Sequence, residues 1–213
     1  MRSKLRVKLR VKLNNMAKNF NRVPQFALAI DWETSGYSIP NYAEKHQGIS
    51  FGAIIFDVKT LLPVEQLYRE IKFVDDTKYV WESGAERVHG ISRDHLLKHG
   101  VTQQEAATEL ANLVIKYIGA EDIMLLGHRV HFDKAFTSQL INTLGFDFTY
   151  HPTVIDSCSI ATVLMELTYS EDIFQTLGLP PRGKHNALED VQYTLESVRR
   201  IKEFFIAGVA VSL

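Results

Sequence analysis

The stretch Phe26-Ala27-Leu28-Ala29-Ile30-Asp31-Trp32-Glu33-Thr34-Ser35-Gly36 decides how this chain folds. Phe26 to Trp32 is an apolar run with the length and composition of a buried strand, and Thr34-Ser35-Gly36 ends it with a turn signal. Two carboxylates, Asp31 and Glu33, stand two residues apart at its end. Side chains of a strand alternate between faces, so both acids point to the same side and can share a cation. Further along, Ile49 to Asp57 and Leu67 to Val74 read as two more strands, with Lys59 to Pro63 as the short connection of an antiparallel hairpin. Helices and strands then alternate. Thr102 and Glu105 have capping-box spacing, and apolar residues follow at Ala106, Leu110, Leu113, Val114 and Ile118. Asp122 to Leu126 is a buried-strand candidate, and the helix after it carries Phe132, Phe136, Leu140 and Leu144 at four-residue spacing. A short strand at Val154-Ile155 precedes a helix near Cys158 to Leu167, and the last long helix runs from near Ala187 to about Phe205. Three early strands followed by alternation imply an α/β fold, a mixed sheet covered by helices.

With 213 residues the chain has the size of one domain, and 46% hydrophobic against 23% charged residues excludes wholesale disorder. No stretch approaches the roughly 20 continuous apolar residues of a membrane-spanning helix. The one cysteine, Cys158, excludes an intramolecular disulfide and a Cys-rich zinc site; it fits a reducing, cytoplasmic setting and reads as a buried small hydrophobe. The 24 basic and 25 acidic residues are unevenly spread. Residues 1–15 hold six basic residues and no acid, which leaves 18 basic against 25 acidic residues, a body of net charge −7. We read 1–22 as a basic N-terminal extension, 23–205 as the domain and 206–213 as a short C-terminal tail. Four readings of the basic segment stay open: a nucleic-acid arm, a mitochondrial targeting segment, a membrane-surface segment, or an upstream extension before a start at Met16.

Four carboxylates lie where predicted elements end. Beside Asp31 and Glu33, Asp133 follows Gly127-His128-Arg129-Val130-His131-Phe132, and Asp190 lies in the first turn of the last helix. His185 precedes Asp190 by five residues, roughly 140° around a helix axis, so the two cannot share a helix face. The capping-box spacing of Asn186 and Glu189 makes Asn186 the N-cap and leaves His185 just outside the helix, free to move a proton. Hard divalent cations prefer such oxygen ligands, two such ions can stabilise both oxygens of a phosphoryl displacement, and a nearby histidine can take the proton of an attacking water.

The order of these residues resembles the DnaQ-like 3′–5′ exonuclease superfamily, in its DEDDh branch, over roughly Ala27 to Phe204. The family pattern D-x-E-T-(T/S)-G reads Asp31-Trp32-Glu33-Thr34-Ser35-Gly36; G-H-N-x-x-F-D reads Gly127 to Asp133; and H-x-A-L-x-D reads His185-Asn186-Ala187-Leu188-Glu189-Asp190. Ala85 to Ile91 is similar to the family's A-x-x-V-H-G-I, and Asp156-Ser157 stands where relatives often carry Asp-Thr. The resemblance implies an RNase H-like five-stranded mixed sheet, its second strand antiparallel to the rest, flanked by helices. It implies Mg²⁺ as cofactor, two ions, with Mn²⁺ as a substitute. Asp31, Glu33 and Asp190 would hold one ion, Asp31 would bridge to the second, Asp133 would complete it, and His185 would be the general base. Thr34 and His89 match positions close to the 3′-terminal nucleotide. The implied activity is release of 5′-mononucleotides from single-stranded DNA or RNA 3′ ends.

Three readings qualify the resemblance. Arg129 replaces the family's asparagine, read as a change of backbone support or phosphate contact. Trp32 reads as core, with base stacking as the alternative, and His128 and His131 as structural hydrogen-bonding residues rather than zinc ligands. The alternative function is a catalytically inactive module that binds nucleic-acid ends, or an active subunit that depends on a polymerase or replication partner; the intact five-residue set argues against inactivity. The −7 body argues against a broad groove for long strands, unless the basic segment supplies the field. Oligomeric state stays open.

Overall fold

The structure, a computed structural model, describes residues 23–37, 42–74 and 77–211, so the reading of the basic segment 1–22 lies outside the described residues. Five strands form one sheet in the order β3-β2-β1-β4-β5. They are β1 (Phe26–Thr34), β2 (Gly48–Asp57), β3 (Leu62–Glu70), β4 (Leu125–Gly127) and β5 (Ile155–Asp156). β2 pairs antiparallel with β1 and with β3, while β1, β4 and β5 run parallel, so β2 alone opposes the rest. This is the expected RNase H-like α/β sheet. The helices are α1 (Tyr42–Lys45), α2 (Ser83–His89), α3 (Arg93–His99), α4 (Gln103–Tyr117), α5 (His131–Ile141), α6 (Ser157–Met165), α7 (Ser170–Thr176) and α8 (Ala187–Val211).

The alternation of β1 sorts its residues between two cores. Leu28, Ile30 and Trp32 pack with Phe51, Ala53 and Ile55 of β2 against Leu110 and Val114 of α4 and Phe136 and Leu140 of α5. Ala27 and Ala29 face the other way, with Ile54 and Phe56, under Val191, Leu195 and Val198 of α8. Asp31 and Glu33 continue this second face, so the acids emerge on the side that α8 covers. Gly52 stands in register with Asp31. A Cβ there would come to 2.3 Å from the Ala187 carbonyl oxygen and 2.4 Å from Leu188 Cα. Only glycine lets the first turn of α8 rest its backbone on β2 this closely.

Several elements depart from expectation. β3 begins at Leu62, not Leu67, because the connection is tighter than foreseen: Asp57 Oδ1 accepts from Thr60 N and Oγ1, both at 2.9 Å, and Leu61 turns the chain at φ 58°. As an edge strand it tolerates Pro63 and exposes Leu62 and Val64, which obscures its alternation. α2, α3 and α7 were not foreseen; each has only seven residues, too few for a periodicity to show. The capping box at Thr102 and Glu105 is present on α4. α8 runs past Phe205 to Val211, so residues read as a tail continue the helix, with Phe204, Phe205 and Ile206 exposed. Cys158 is only partly buried, in the first turn of α6, rather than a core hydrophobe.

Candidate active site

Asp31, Glu33, Asp133, His185 and Asp190 all line one cleft of about 170 Å³, together with His128, Phe132, Ser170, Phe174, Arg182 and Thr194. Three elements place the four acids. Asp31 and Glu33 come from the end of β1, where a register shift between Glu33 and Thr34 bends the ladder. Asp133 sits in the first turn of α5 and is 2% exposed. Its position is braced from a distance: Asp156, at the end of β5, accepts from Val130 N at 2.9 Å through one oxygen and caps α6 by accepting from Ser159 N at 2.8 Å through the other. Asp190 lies in the first turn of α8, which Asn186 caps by accepting from Leu188 N at 3.1 Å and Glu189 N at 3.2 Å. His185 stays outside the helix, as the cap requires, with Nδ1 3.0 Å from Asp190 Oδ2 and Nε2 3.7 Å from Glu171 Oε1.

Gathering these carboxylates costs electrostatic free energy. Burial pushes Asp31 well above the usual carboxylate range, and Asp133, Glu33 and Asp190 push it further. Burial and the neighbouring Asp190 raise Glu33 to about 7, against the pull of His185 and Arg182. Burial likewise raises Asp133. The hydrogen bond with Asp190 raises His185.

The donor set fits a hard divalent cation. Ligand atoms of Glu33, His185 and Asp190 all lie within 4.8 Å of one another. Asp133 Oδ2 is buried with no hydrogen-bond partner, as expected of an oxygen that serves something the protein does not supply. A set dominated by carboxylate oxygens suits a hard divalent cation rather than a thiophilic metal.

Thr34 and His89 stand together beside this cleft without lining it. His89 is buried; its Nδ1 accepts from Ile91 N at 3.0 Å, and its Nε2 has no hydrogen-bond partner. Burial holds its imidazole below the ordinary value, against Glu86 and the Thr34 backbone. Trp32 is core, its Nε1 donating to Thr137 Oγ1 at 3.0 Å, and His128 pairs through Nδ1 with Ser157 Oγ at 3.0 Å. His131 is exposed, so a structural role for its ring finds no support. Arg129 is exposed at φ 59°, a left-handed conformation that asparagine adopts at lower cost than arginine, which accounts for the family's preference there.

The RNase T model, described as exonuclease, matches residues 28–198, a span that holds every acid of the cleft. The chain belongs to this exonuclease family. Its DnaQ-like relatives include the PolC-type DNA polymerase III of Thermotoga maritima, 30% identical over 119 residues, which are 53% of this chain and 9% of that protein. Among solved structures, the zinc-bound Escherichia coli exonuclease I–ssDNA complex superimposes with a TM-score of 0.69 at 19% identity, covering 85% of this chain and 41% of that one. A 3′-exonuclease described in 3′-end-specific recognition of a histone mRNA stem-loop gives a TM-score of 0.65 at 15% identity, covering 86% of this chain and 84% of that one. The chain thus spans less than half of exonuclease I and a small fraction of the polymerase. Both structural matches share the fold of this exonuclease domain.

Sequence reasoning missed one group of this exonuclease cleft. Arg182 donates to both Asp190 Oδ1 and Glu171 Oε1, and α7 supplies Ser170 and Phe174 as a wall. The available signal was the loop Pro180-Pro181-Arg182-Gly183-Lys184, a Pro/Gly turn carrying two cations immediately before His185.

Proposed function

We propose that this chain is a metal-dependent 3′–5′ exonuclease that removes 5′-mononucleotides from single-stranded DNA or RNA ends. The observation that carries the reading is the convergence of Asp31, Glu33, Asp133, Asp190 and His185 on one cleft, with a buried oxygen of Asp133 left without a partner. Asp31, Glu33 and Asp190 would hold one Mg²⁺ or Mn²⁺, and Asp31 with Asp133 a second. Bound ions would neutralise charge developing on the phosphoryl oxygens and lower the pKa of a coordinated water. The chain's own residues do the rest. Asp190 holds Nδ1 of His185 and so fixes the ring, leaving Nε2 to accept the proton of the attacking water. The walls of Phe132 and Phe174 limit water around the reacting phosphate. Thr34, at the end of β1, and His89, at the end of α2, would receive the terminal nucleotide; because Nδ1 of His89 accepts from Ile91 N, the neutral ring carries its proton on Nε2 and offers a donor there. The single Cys158 suits a reducing, cytoplasmic setting.

The test uses 5′-labelled single-stranded DNA and RNA incubated with Mg²⁺ or Mn²⁺, with EDTA and Asp190→Ala as controls. A ladder that shortens from the 3′ end, needs the metal and vanishes in the variant is expected, and the faster substrate names the class. Tight binding of both substrates without cleavage would transfer the reading to an end-binding module. The match to a PolC-type polymerase favours one second reading, that of a proofreading part within a replication assembly. Binding of a polymerase subunit or clamp that is lost on truncation after Phe205 would support it.

A further inference from the structure

Arg182 is a cation that the chain places among its own acids. It donates to Asp190 Oδ1 and to Glu171 Oε1, and its side chain is 8% exposed. The guanidinium lies over Phe174 at 4.7 Å from the ring centroid, with Tyr193 at 6.0 Å. Both oxygens of Asp190 are therefore engaged, Oδ1 by Arg182 and Oδ2 by His185 at 3.0 Å. Each oxygen keeps a second lone pair for a divalent cation, but a guanidinium that stayed would then set two cations against each other at short range.

The displaced group then needs an anion. A guanidinium this buried is costly when half paired, and Glu171, whose side chain is 59% exposed, satisfies only one edge of it. The anion that the reaction brings into the cleft is a phosphate, whose oxygens match the planar fork of arginine. Phe174 beneath the plane would hold the group in the cleft while its partner changes. The same loop sends a second cation toward the substrate side: Lys184 lies across Gly90, where a Cβ would come within 2.9 Å of its Nζ.

We propose that Arg182 exchanges Asp190 for the substrate's phosphate when Asp190 takes a divalent cation. One residue then opposes metal at the site until nucleotide arrives and helps bind the nucleotide once it has. The inference rests on the exonuclease reading above and adds a phosphate-binding residue to it.

The test is calorimetric and needs no turnover. The full chain, stripped with EDTA, is titrated with Mn²⁺, and then with thymidine or uridine 5′-monophosphate at saturating Mn²⁺. Relative to wild type, Arg182→Gln is expected to bind Mn²⁺ about tenfold more tightly and the mononucleotide about tenfold more weakly. Arg182→Lys keeps the charge and loses the fork, so its Mn²⁺ affinity stays near wild type while mononucleotide binding falls. It also serves as the folding control, with melting curves taken for all three proteins. If wild type binds Mn²⁺ and Arg182→Gln binds it no more tightly, the competition is refuted. If mononucleotide affinity is unchanged in Arg182→Gln, the exchange onto phosphate is refuted. Failure of both the wild type and Arg182→Gln to bind Mn²⁺, with the mononucleotide present as well as without it, would overturn the exonuclease reading and this inference together.

Discussion

Gly52→Ala tests how the site is assembled without touching any residue that performs chemistry. The added Cβ would lie 2.3 Å from the Ala187 carbonyl oxygen and 2.4 Å from Leu188 Cα, both backbone atoms that no side-chain rotation can clear. The first turn of α8 must retreat by about 1 Å before the contact becomes ordinary. That turn carries Asp190, and the loop entering it carries His185, while Asp31 is fixed on the strand beside Gly52. A displacement of this size between reacting groups costs roughly a hundredfold in rate, and overpacking costs about 1–3 kcal/mol of stability. We therefore expect kcat on a labelled single strand to fall about a hundredfold, with a urea midpoint lowered in proportion. Gly84→Ala is the matched control: its Cβ would meet only Arg87 Nη2 at 3.9 Å, within helix α2, so stability should rise slightly and turnover stay put. Turnover of Gly52→Ala within about threefold of wild type would refute the argument that close approach of α8 to β2 sets the geometry.

Three further outcomes follow from the electrostatics and the backbone. Asp133→Asn removes a carboxylate whose charge is opposed first by burial and then by neighbouring acids, so in EDTA the variant should melt above wild type by the equivalent of about 1–2 kcal/mol while turnover with Mg²⁺ is lost; a lower melting point would count against that cost. Burial works against ionisation of Asp156, but the N–H groups of Ser159 and Val130 outweigh it and hold the carboxyl below the ordinary value. Its stabilisation is thus present above pH of about 4 and lost as pH falls through the folded pKa. Asp156→Ala should cost about 1–2 kcal/mol at pH 7, with a gap to wild type that closes in acid; a gap independent of pH in urea titrations would exclude the capping carboxylate as its source. Arg129→Asn relieves an exposed side chain held at φ 59° and should raise stability by about 0.5–1 kcal/mol; an unchanged melting point would mean that Arg129 makes a compensating contact.

The parts of the molecule that were legible in the sequence are those where one residue type answers to one physical demand. The run Phe26–Trp32 announced a buried strand because every position in it but Asp31 is apolar, and the two-residue spacing of Asp31 and Glu33 announced a shared face. Asn186 announced the start of α8 because four backbone N–H groups at a helix start need an acceptor, and that placed His185 outside the helix. Residues whose role depends on what lies across from them were not legible. Gly52 reads as a weak point in a strand until the backbone of Ala187 is seen above it. Asp156 read as a family position, and its brace on Val130 spans two strands. Arg182 drew no reading, since nothing local shows that Glu171 and Asp190 flank it. Leu62 was missed because an edge strand beside water lacks a strict apolar alternation.

The two-sided packing of β1 also limits how this chain can change length. Its odd-numbered residues serve α8 and the acids, its even-numbered residues serve α4 and α5. One residue inserted between Leu28 and Asp31 would reverse that parity beyond the insertion, aiming both carboxylates into the core around Phe51 and Phe136 and bringing Trp32 out over the cleft. A deletion would do the same, whereas a bulge that absorbs the extra residue before Phe26 would leave the site untouched. Length variation in this strand is therefore admissible at its entry and lethal to the chemistry at its exit, a constraint imposed by parity alone.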